Sequence, residues 1–316
     1  MEIMRIAIFG VGGVGGYFGA QLARAAEDVT FIARGAHLQA IRSDGLRVET
    51  PDGEIVIQPA QATDDPAQVG VVDLVILCVK TWQVGDAAIA MRPMLGPETV
   101  VLPLQNGVEA ASQLSERLGA DNILSGLCGT ISQVVSPGRI RSIGASNFVK
   151  FGELDGRRSD RVERLRQVFE QAGVRAETPA DINAALWEKF LFVVSMGGVG
   201  AVARAPIGVT RTVPETRSML VTCMREIRSI ARAKQVTLSD DVIEKTMGFV
   251  DSLAPGGTTS MQRDIGEGRP SELEAWSGAV VRMGRETGVA TPLNEFIYHS
   301  LLPSEMRARG RIEFPE

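Results

Sequence analysis

Arg5-Ile6-Ala7-Ile8-Phe9-Gly10-Val11-Gly12-Gly13-Val14-Gly15 is the stretch on which the fold of this chain turns. Arg5–Phe9 reads as a strand, it runs straight into G-x-G-x-x-G, and Val14–Ala26 continues as a helical pattern. The glycine spacing alone is common; strand, glycine turn and helix in that order make it a dinucleotide-binding fingerprint. Gly10 permits the tight turn, Gly12 lets the backbone approach a pyrophosphate, and Gly15 lets helix and strand pack closely. Val11, Gly13 and Val14 complete the loop. Its N–H groups and the helix dipole favour a phosphate.

Outward from the loop, Val29–Ala33 reads as a second strand, and Arg34 stands where an NAD-binding domain usually offers an acid to the ribose 2′-hydroxyl. A guanidinium there suits a 2′-phosphate through paired hydrogen bonds, so NADP(H) is the expected cofactor. The alternative is a solvated surface arginine. Gly45–Val48 and Glu54–Gln58 flank Pro51-Asp52-Gly53 and predict a hairpin. Val71–Val79 and Thr99–Leu104 are continuous apolar runs, the pattern of strands buried on both faces of a parallel sheet. A helix at about Val108–Leu118 and strands at Ile123–Ser132, Arg139–Ile143 and Phe148–Gly152 follow. Alternating βα units predict a Rossmann-type, doubly wound α/β domain over residues 1–178. From Asp181 helical patterns take over (Asp181–Arg204, Thr216–Lys234, Asp240–Val250, Ser271–Thr287), so an all-helical domain is expected over 179–316. Glu177-Thr178-Pro179-Ala180 marks the boundary.

Composition sets the limits. The 316 residues fit two domains of roughly 150, and 44% hydrophobic with 22% charged is ordinary globular usage. A net charge of −5 gives no electrostatic reason to expect nucleic acid or an anionic membrane as partner. The longest apolar run, Phe190–Ala203, is interrupted by Ser195, Gly197, Gly198 and Gly200 and falls short of the ~18 residues of a membrane span. Three scattered cysteines and two histidines argue against a disulfide framework or a metal site and fit a reducing cytoplasm. Chemistry then rests on lysine, carboxylates, amides or a cofactor.

Five further positions are candidates. Lys80 directly follows the run Val71–Val79, at the strand end where open α/β sheets bind ligands, although a lysine there is more often solvated than functional. Asn106 lies in Pro103-Leu104-Gln105-Asn106-Gly107, and Asn-Gly also reads as a plain turn. Lys189 sits in Leu186-Trp187-Glu188-Lys189-Phe190-Leu191-Phe192-Val193-Val194. One and two turns on stand Val193 and Gly197, neither able to solvate an ammonium, so the amine either snorkels at a helix end or is presented in a cleft. Ser260 reads as a helix cap. Glu272 reads as a first-turn acid beside a capping box of Ser271 and Glu274.

Taken in order, these segments resemble the ketopantoate reductase (2-dehydropantoate 2-reductase) family over most of the chain. The resemblance is carried by the glycine loop with Arg34, Val79-Lys80-Thr81-Trp82-Gln83, Gln105-Asn106-Gly107 and Trp187-Glu188-Lys189. It continues through Ser260-Met261-Gln262-Arg263-Asp264, Glu272 and Gly288-Val289-Ala290-Thr291-Pro292-Leu293-Asn294. It implies that Gly10 to Gly15, Arg34 and Lys80 hold NADPH and that Asn106 lies beside nicotinamide and substrate. It further implies that Lys189 is the catalytic acid, that Ser260 contacts substrate, and that Glu272 contacts the cofactor end of the site. The implied reaction is hydride transfer from NADPH to the ketone carbon of a 2-oxo acid, 2-dehydropantoate to pantoate. A lysine of ordinary pKa is protonated at neutral pH and can polarise the carbonyl and protonate the alkoxide.

The chain also departs from the family, which places asparagines one and two turns after its lysine and a third in Pro-Asn-Gly. Here Val193, Gly197 and Ile207 stand at those positions. Removing groups that hydrogen-bond a substrate hydroxyl relaxes the demand for it. The alternative substrate is therefore a different, more apolar 2-oxo acid, as for a D-2-hydroxyacid dehydrogenase. The alternative of another class is a catalytically silent NADP-binding protein. The apolar faces of the second domain's helices suit its own core or a homodimer equally.

Overall fold

The computed structural model describes residues 3–144 and 147–315. The chain divides into two compact units, Met1–Gln105 with Glu109–Asn183, and Asn106–Val108 with Ala184–Glu316. The first unit opens with β1 (Arg5–Phe9), α1 (Gly13–Arg24), β2 (Asp28–Ile32), α2 (Gly35–Asp44), β3 (Leu46–Thr50), β4 (Gly53–Ile57), β5 (Gln61–Thr63) and β6 (Leu74–Leu77). It continues with α3 (Val84–Ala90), β7 (Val100–Pro103), α4 (Ala110–Leu118), β8 (Leu124–Gly129), β9 (Ser132–Ser136), β10 (Arg139–Ser142), β11 (Phe148–Glu153), α5 (Asp160–Gln171) and β12 (Arg175–Glu177).

A five-stranded parallel sheet in the order β5-β2-β1-β6-β7 forms the centre of this unit. Successive side chains of a strand point to opposite faces, and both faces here are covered. Ile6, Ile8, Leu74 and Ile76 enter one core with Phe18 and Phe31. Their neighbours Ala7, Phe9, Val75 and Leu77 enter another with Val84, Ala88, Met91 and Leu114. The apolar runs are unbroken for that reason. Two smaller sheets, β4-β3-β10-β9 and β12-β11-β8, complete the unit. The run Ile123–Ser132, expected as one strand, is divided between β8 and β9, and the run Val71–Val79 pairs only over Leu74–Leu77.

The second unit is helical: α6 (Ile182–Ala203), α7 (Ile207–Thr210), α8 (Pro214–Ala233), α9 (Val242–Ser252), α10 (Ser260–Gly266), a π-turn over Glu274–Gly278, α11 (Ala279–Thr287) and α12 (Pro292–Ala308). Among the described residues α6 is the helix long and apolar enough by composition to cross a membrane, yet 72% of its apolar window is buried. An all-round apolar helix of this kind is a core helix. Two buried carboxylates tie distant segments together. Glu226 accepts from the Leu293 and Asn294 N–H groups (2.9 and 3.0 Å) and from Asn294 Nδ2 (2.6 Å), which caps α12.

The capping box expected of Ser271 and Glu274 does not form. The Ser271 N–H and hydroxyl instead donate to Glu305, at 3.0 and 2.6 Å to Oε2. Glu274 is exposed and binds Arg282 and Tyr298. The helix expected from Ser271 accordingly begins as the π-turn. Nor is Ser260 a cap; Thr259 takes that place, its side chain accepting from the Gln262 N–H at 3.2 Å.

Candidate active site

The register of the parallel sheet sets the first unit's candidates side by side. Phe9 pairs with Ile32 and with Leu77, and Leu77 with Pro103, so four adjacent strands end on one edge. The glycine loop leaves β1 there, Arg34 follows β2, and Lys80 follows β6. This is the carboxyl edge at which open α/β sheets bind ligands. Backbone bonds hold the edge together, among them those from the Gly10 N–H to the Ile32 carbonyl (3.1 Å) and from the Cys78 N–H to the Phe9 carbonyl (2.8 Å).

Within the loop each glycine answers a different constraint. Gly10 has φ +100°, a conformation that side chains rarely adopt. A Cβ at Gly15 would overlap the Gly10 carbonyl oxygen, and one at Gly13 the Ser132 backbone, so both are needed for packing. Gly12 differs. It has ordinary extended backbone (φ −79°, ψ −162°) and nothing within 4 Å of a would-be Cβ. Its missing side chain leaves space open at the N-terminus of α1, a cradle that fits a dinucleotide's pyrophosphate.

Arg34 is exposed at the N-terminus of α2, a helix the sequence did not signal. Lys80 is half-buried, its ammonium 5.8 Å from the Trp82 ring centroid and its N–H donating to Gln83 Oε1. Two positioning residues went unweighted in the sequence. Gln105 Nε2 donates to the Leu77 and Val79 carbonyls (2.9 and 3.1 Å), fixing the end of β6 from which Lys80 departs. His37 Nδ1 accepts from the Gly138 N–H at 3.0 Å, anchoring the first turn of α2. Burial holds the His37 pKa below the ordinary histidine range, which fits a neutral ring accepting at Nδ1.

The second unit holds the other candidates. Lys189 is half-buried on α6 between Trp187 and Phe190, themselves 3% and 1% exposed. Val193, Gly197 and Ile207 are buried. Ser260 is the first residue of α10, and Glu272 is buried just before the π-turn, its carbonyl accepting from the Trp276 N–H at 3.0 Å. Asn106 groups with this unit, and a Cβ at the adjoining Gly107 would lie 3.7 Å from the Ala275 carbonyl oxygen. Trp276, whose position in the sequence gave no sign of it, thus has Glu272 and Met261 as neighbours. Ala275 precedes it, and Met261, next to Ser260, meets it over Gly197.

Comparison with known proteins places these features in context. The family model "Ketopantoate reductase PanE/ApbA" matches residues 6–156, and its C-terminal counterpart matches residues 181–304. A 2-dehydropantoate 2-reductase of Mesorhizobium japonicum is 31% identical, the alignment covering 92% of this chain and 94% of the relative. The crystal structure of a PanE/ApbA family ketopantoate reductase from Ralstonia eutropha superposes with a TM-score of 0.88 at 31% identity, covering 97% of this chain and all of that one. A D-mandelate dehydrogenase solved with NADH and anilino(oxo)acetate shares the fold, with a TM-score of 0.89 at 24% identity over 97% of this chain and all of its own.

Proposed function

Because the chain belongs to the ketopantoate reductase PanE/ApbA family, an oxidoreductase family, we propose that it reduces the ketone of a 2-oxo acid to a 2-hydroxy acid, with NADPH as reductant and Lys189 as general acid. Gly10 to Gly15 would hold the pyrophosphate, Arg34 the 2′-phosphate, and Lys80 and Glu272 further parts of the dinucleotide. When bound, the reduced nicotinamide supplies a hydride to the ketone carbon. Lys189 Nζ hydrogen-bonds the ketone oxygen, lowers the cost of negative charge there, and gives it a proton as the alcohol forms. Solvent then reprotonates the amine. Asn106 and Ser260 donate hydrogen bonds that orient the substrate.

One observation carries this reading: a half-buried lysine in a helix whose next residues, Phe190 to Val194, are all apolar. A cation at the edge of an apolar helix is suited to donate a proton to a polar reaction centre. NADPH oxidation with a panel of 2-oxo acids tests it, 2-dehydropantoate first because named relatives act on it. Lys189→Ala is expected to lower kcat by roughly 10²- to 10⁴-fold without loss of NADPH affinity; near-native turnover would remove Lys189 from the mechanism. A second reading, a 2-oxo acid with a more apolar side chain, is favoured by the buried Val193, Gly197 and Ile207.

A further inference from the structure

We infer that His37 is a positioning residue for the dinucleotide loop: its Nε2–H closes on the Val11 carbonyl when the loop takes up a nucleotide, which turns the Gly12 N–H toward the pyrophosphate. This rests on the nucleotide-binding part of the reading above. The hairpin of β9 and β10 shows how a side chain on α2 comes to act on the loop. Its first residue, Ser132, lies against the start of α1, where a Cβ on Gly13 would overlap the Ser132 backbone. Farther along, Ile140 Cδ1 fills the space over Gly16. The tip of the hairpin rests on α2: a Cβ at Gly138 would stand 3.1 Å from Ala40 Cβ, one turn beyond His37. The Gly138 carbonyl accepts from the Arg47 N–H at 2.9 Å, and its N–H donates to His37 Nδ1 at 3.0 Å. One hairpin thus leans on α1 and α2 together, and His37 is where α2 grips it.

The two ring nitrogens have different duties. Nδ1 accepts, so the neutral ring carries its proton on Nε2. Nε2 is buried, and among the described residues it has no hydrogen-bond partner. The Val11 carbonyl lies near enough to the ring to favour its protonated form, although burial opposes this more strongly. A buried donor without an acceptor is destabilising, and a carbonyl just beyond hydrogen-bond reach is the group that can satisfy it. In a trans peptide the carbonyl and the following N–H point opposite ways. Drawing the Val11 carbonyl onto the ring therefore aims the Gly12 N–H away from it, where an anion can use it. The bond is open in the free protein and closed in the bound one, so its free energy adds to nucleotide affinity.

Counting bonds separates the two duties. Nδ1 and an asparagine amide oxygen both stand two bonds from Cβ, whereas Nε2 and a glutamine amide nitrogen both stand three. His37→Asn keeps the acceptor for Gly138 and lacks the donor to Val11; His37→Gln keeps that donor. In titrations of NADPH fluorescence, His37→Asn is expected to bind roughly 3- to 10-fold more weakly than the parent, the worth of one neutral hydrogen bond. His37→Gln should stay within about twofold of the parent. With a 2-oxo acid that is turned over, KM for NADPH follows Kd and kcat is unchanged, because the ring touches no reacting atom. A parental Kd in His37→Asn, or a loss in His37→Gln at least as large, overturns the inference. The unaltered protein supplies a second measurement. It has two histidines, His37 and His299, so nitrogen-15 labelling of histidine resolves the ring by NMR. On addition of NADPH the Nε2 proton of His37 should move downfield and exchange more slowly with water. A proton on Nδ1, or an Nε2 signal indifferent to NADPH, overturns the inference and leaves the nucleotide reading standing. A parent protein that binds no NADPH overturns that reading and the inference with it.

Discussion

Replacing Gly12 by alanine should separate cofactor binding from folding. The backbone there is ordinary extended conformation, and an added Cβ meets nothing within 4 Å. Without strain or overlap, the gain of about 0.4–1 kcal/mol through the unfolded chain is set against the loss of glycine at the N-cap of α1, so stability should change by less than about 1 kcal/mol. For a unit of this size that keeps Tm within about 4 °C of the parent. The same methyl group occupies the space proposed for the pyrophosphate. Losing one charge-assisted hydrogen bond of about 1.5–3 kcal/mol weakens NADPH binding about 10- to 150-fold. The assays are thermal denaturation of the free protein and titration of NADPH fluorescence. A Kd within twofold of the parent would refute the cradle, and a Tm lowered by roughly 5 °C or more would refute the open space. Gly15→Ala is the contrasting case: its Cβ would overlap the Gly10 carbonyl oxygen, so stability falls by about 1–3 kcal/mol together with affinity.

Three further outcomes are expected. Arg34→Ala should weaken NADPH about tenfold or more while leaving NADH unchanged, read as the ratio of the two Kd values; an unaltered ratio assigns the guanidinium to solvent. Glu226→Ala strips three donors of Leu293 and Asn294 of their acceptor in a buried place, and chemical denaturation should register a loss of about 2–4 kcal/mol. Burial alone would raise the Glu153 pKa, but the Arg161 and Ser159 hydrogen bonds outweigh it and hold the carboxyl below its ordinary value. A carboxyl depressed in the folded state stabilises above its unfolded pKa of about 4.3, and that contribution disappears as pH falls through the folded value. Arg161→Ala should therefore lower Tm at pH 7 and converge with the parent in strong acid; a pH-independent gap would contradict the linkage.

What was legible in the sequence follows the range of the interactions involved. The β1–loop–α1 passage reads correctly as strand, turn and helix because its conformation is set by backbone over consecutive residues, and the Pro51-Asp52-Gly53 turn joins β3 and β4 for the same reason. The helix α2 escaped notice because its N-cap is Arg34, which makes no side-chain cap bond and gives none of the usual start signals. The helix α12 escaped because it contains Pro303, which a local reading takes as a terminator. Ser271 and Glu274 have the spacing of a capping box, yet Glu305, 34 residues on, offers the Ser271 N–H and hydroxyl a buried carboxylate and wins them.

Gly197 belongs to this second class, where identity at one position has meaning only through another far along the chain. Taken alone, a glycine in an apolar helix signals close packing, and nothing nearby says what packs there. With Trp276 in place the position becomes specific, because an asparagine at 197 could not coexist with the ring in its present orientation. The two positions are therefore coupled: polarity at 197 requires the ring to leave, and the ring's departure would open a gap beneath an otherwise buried stripe.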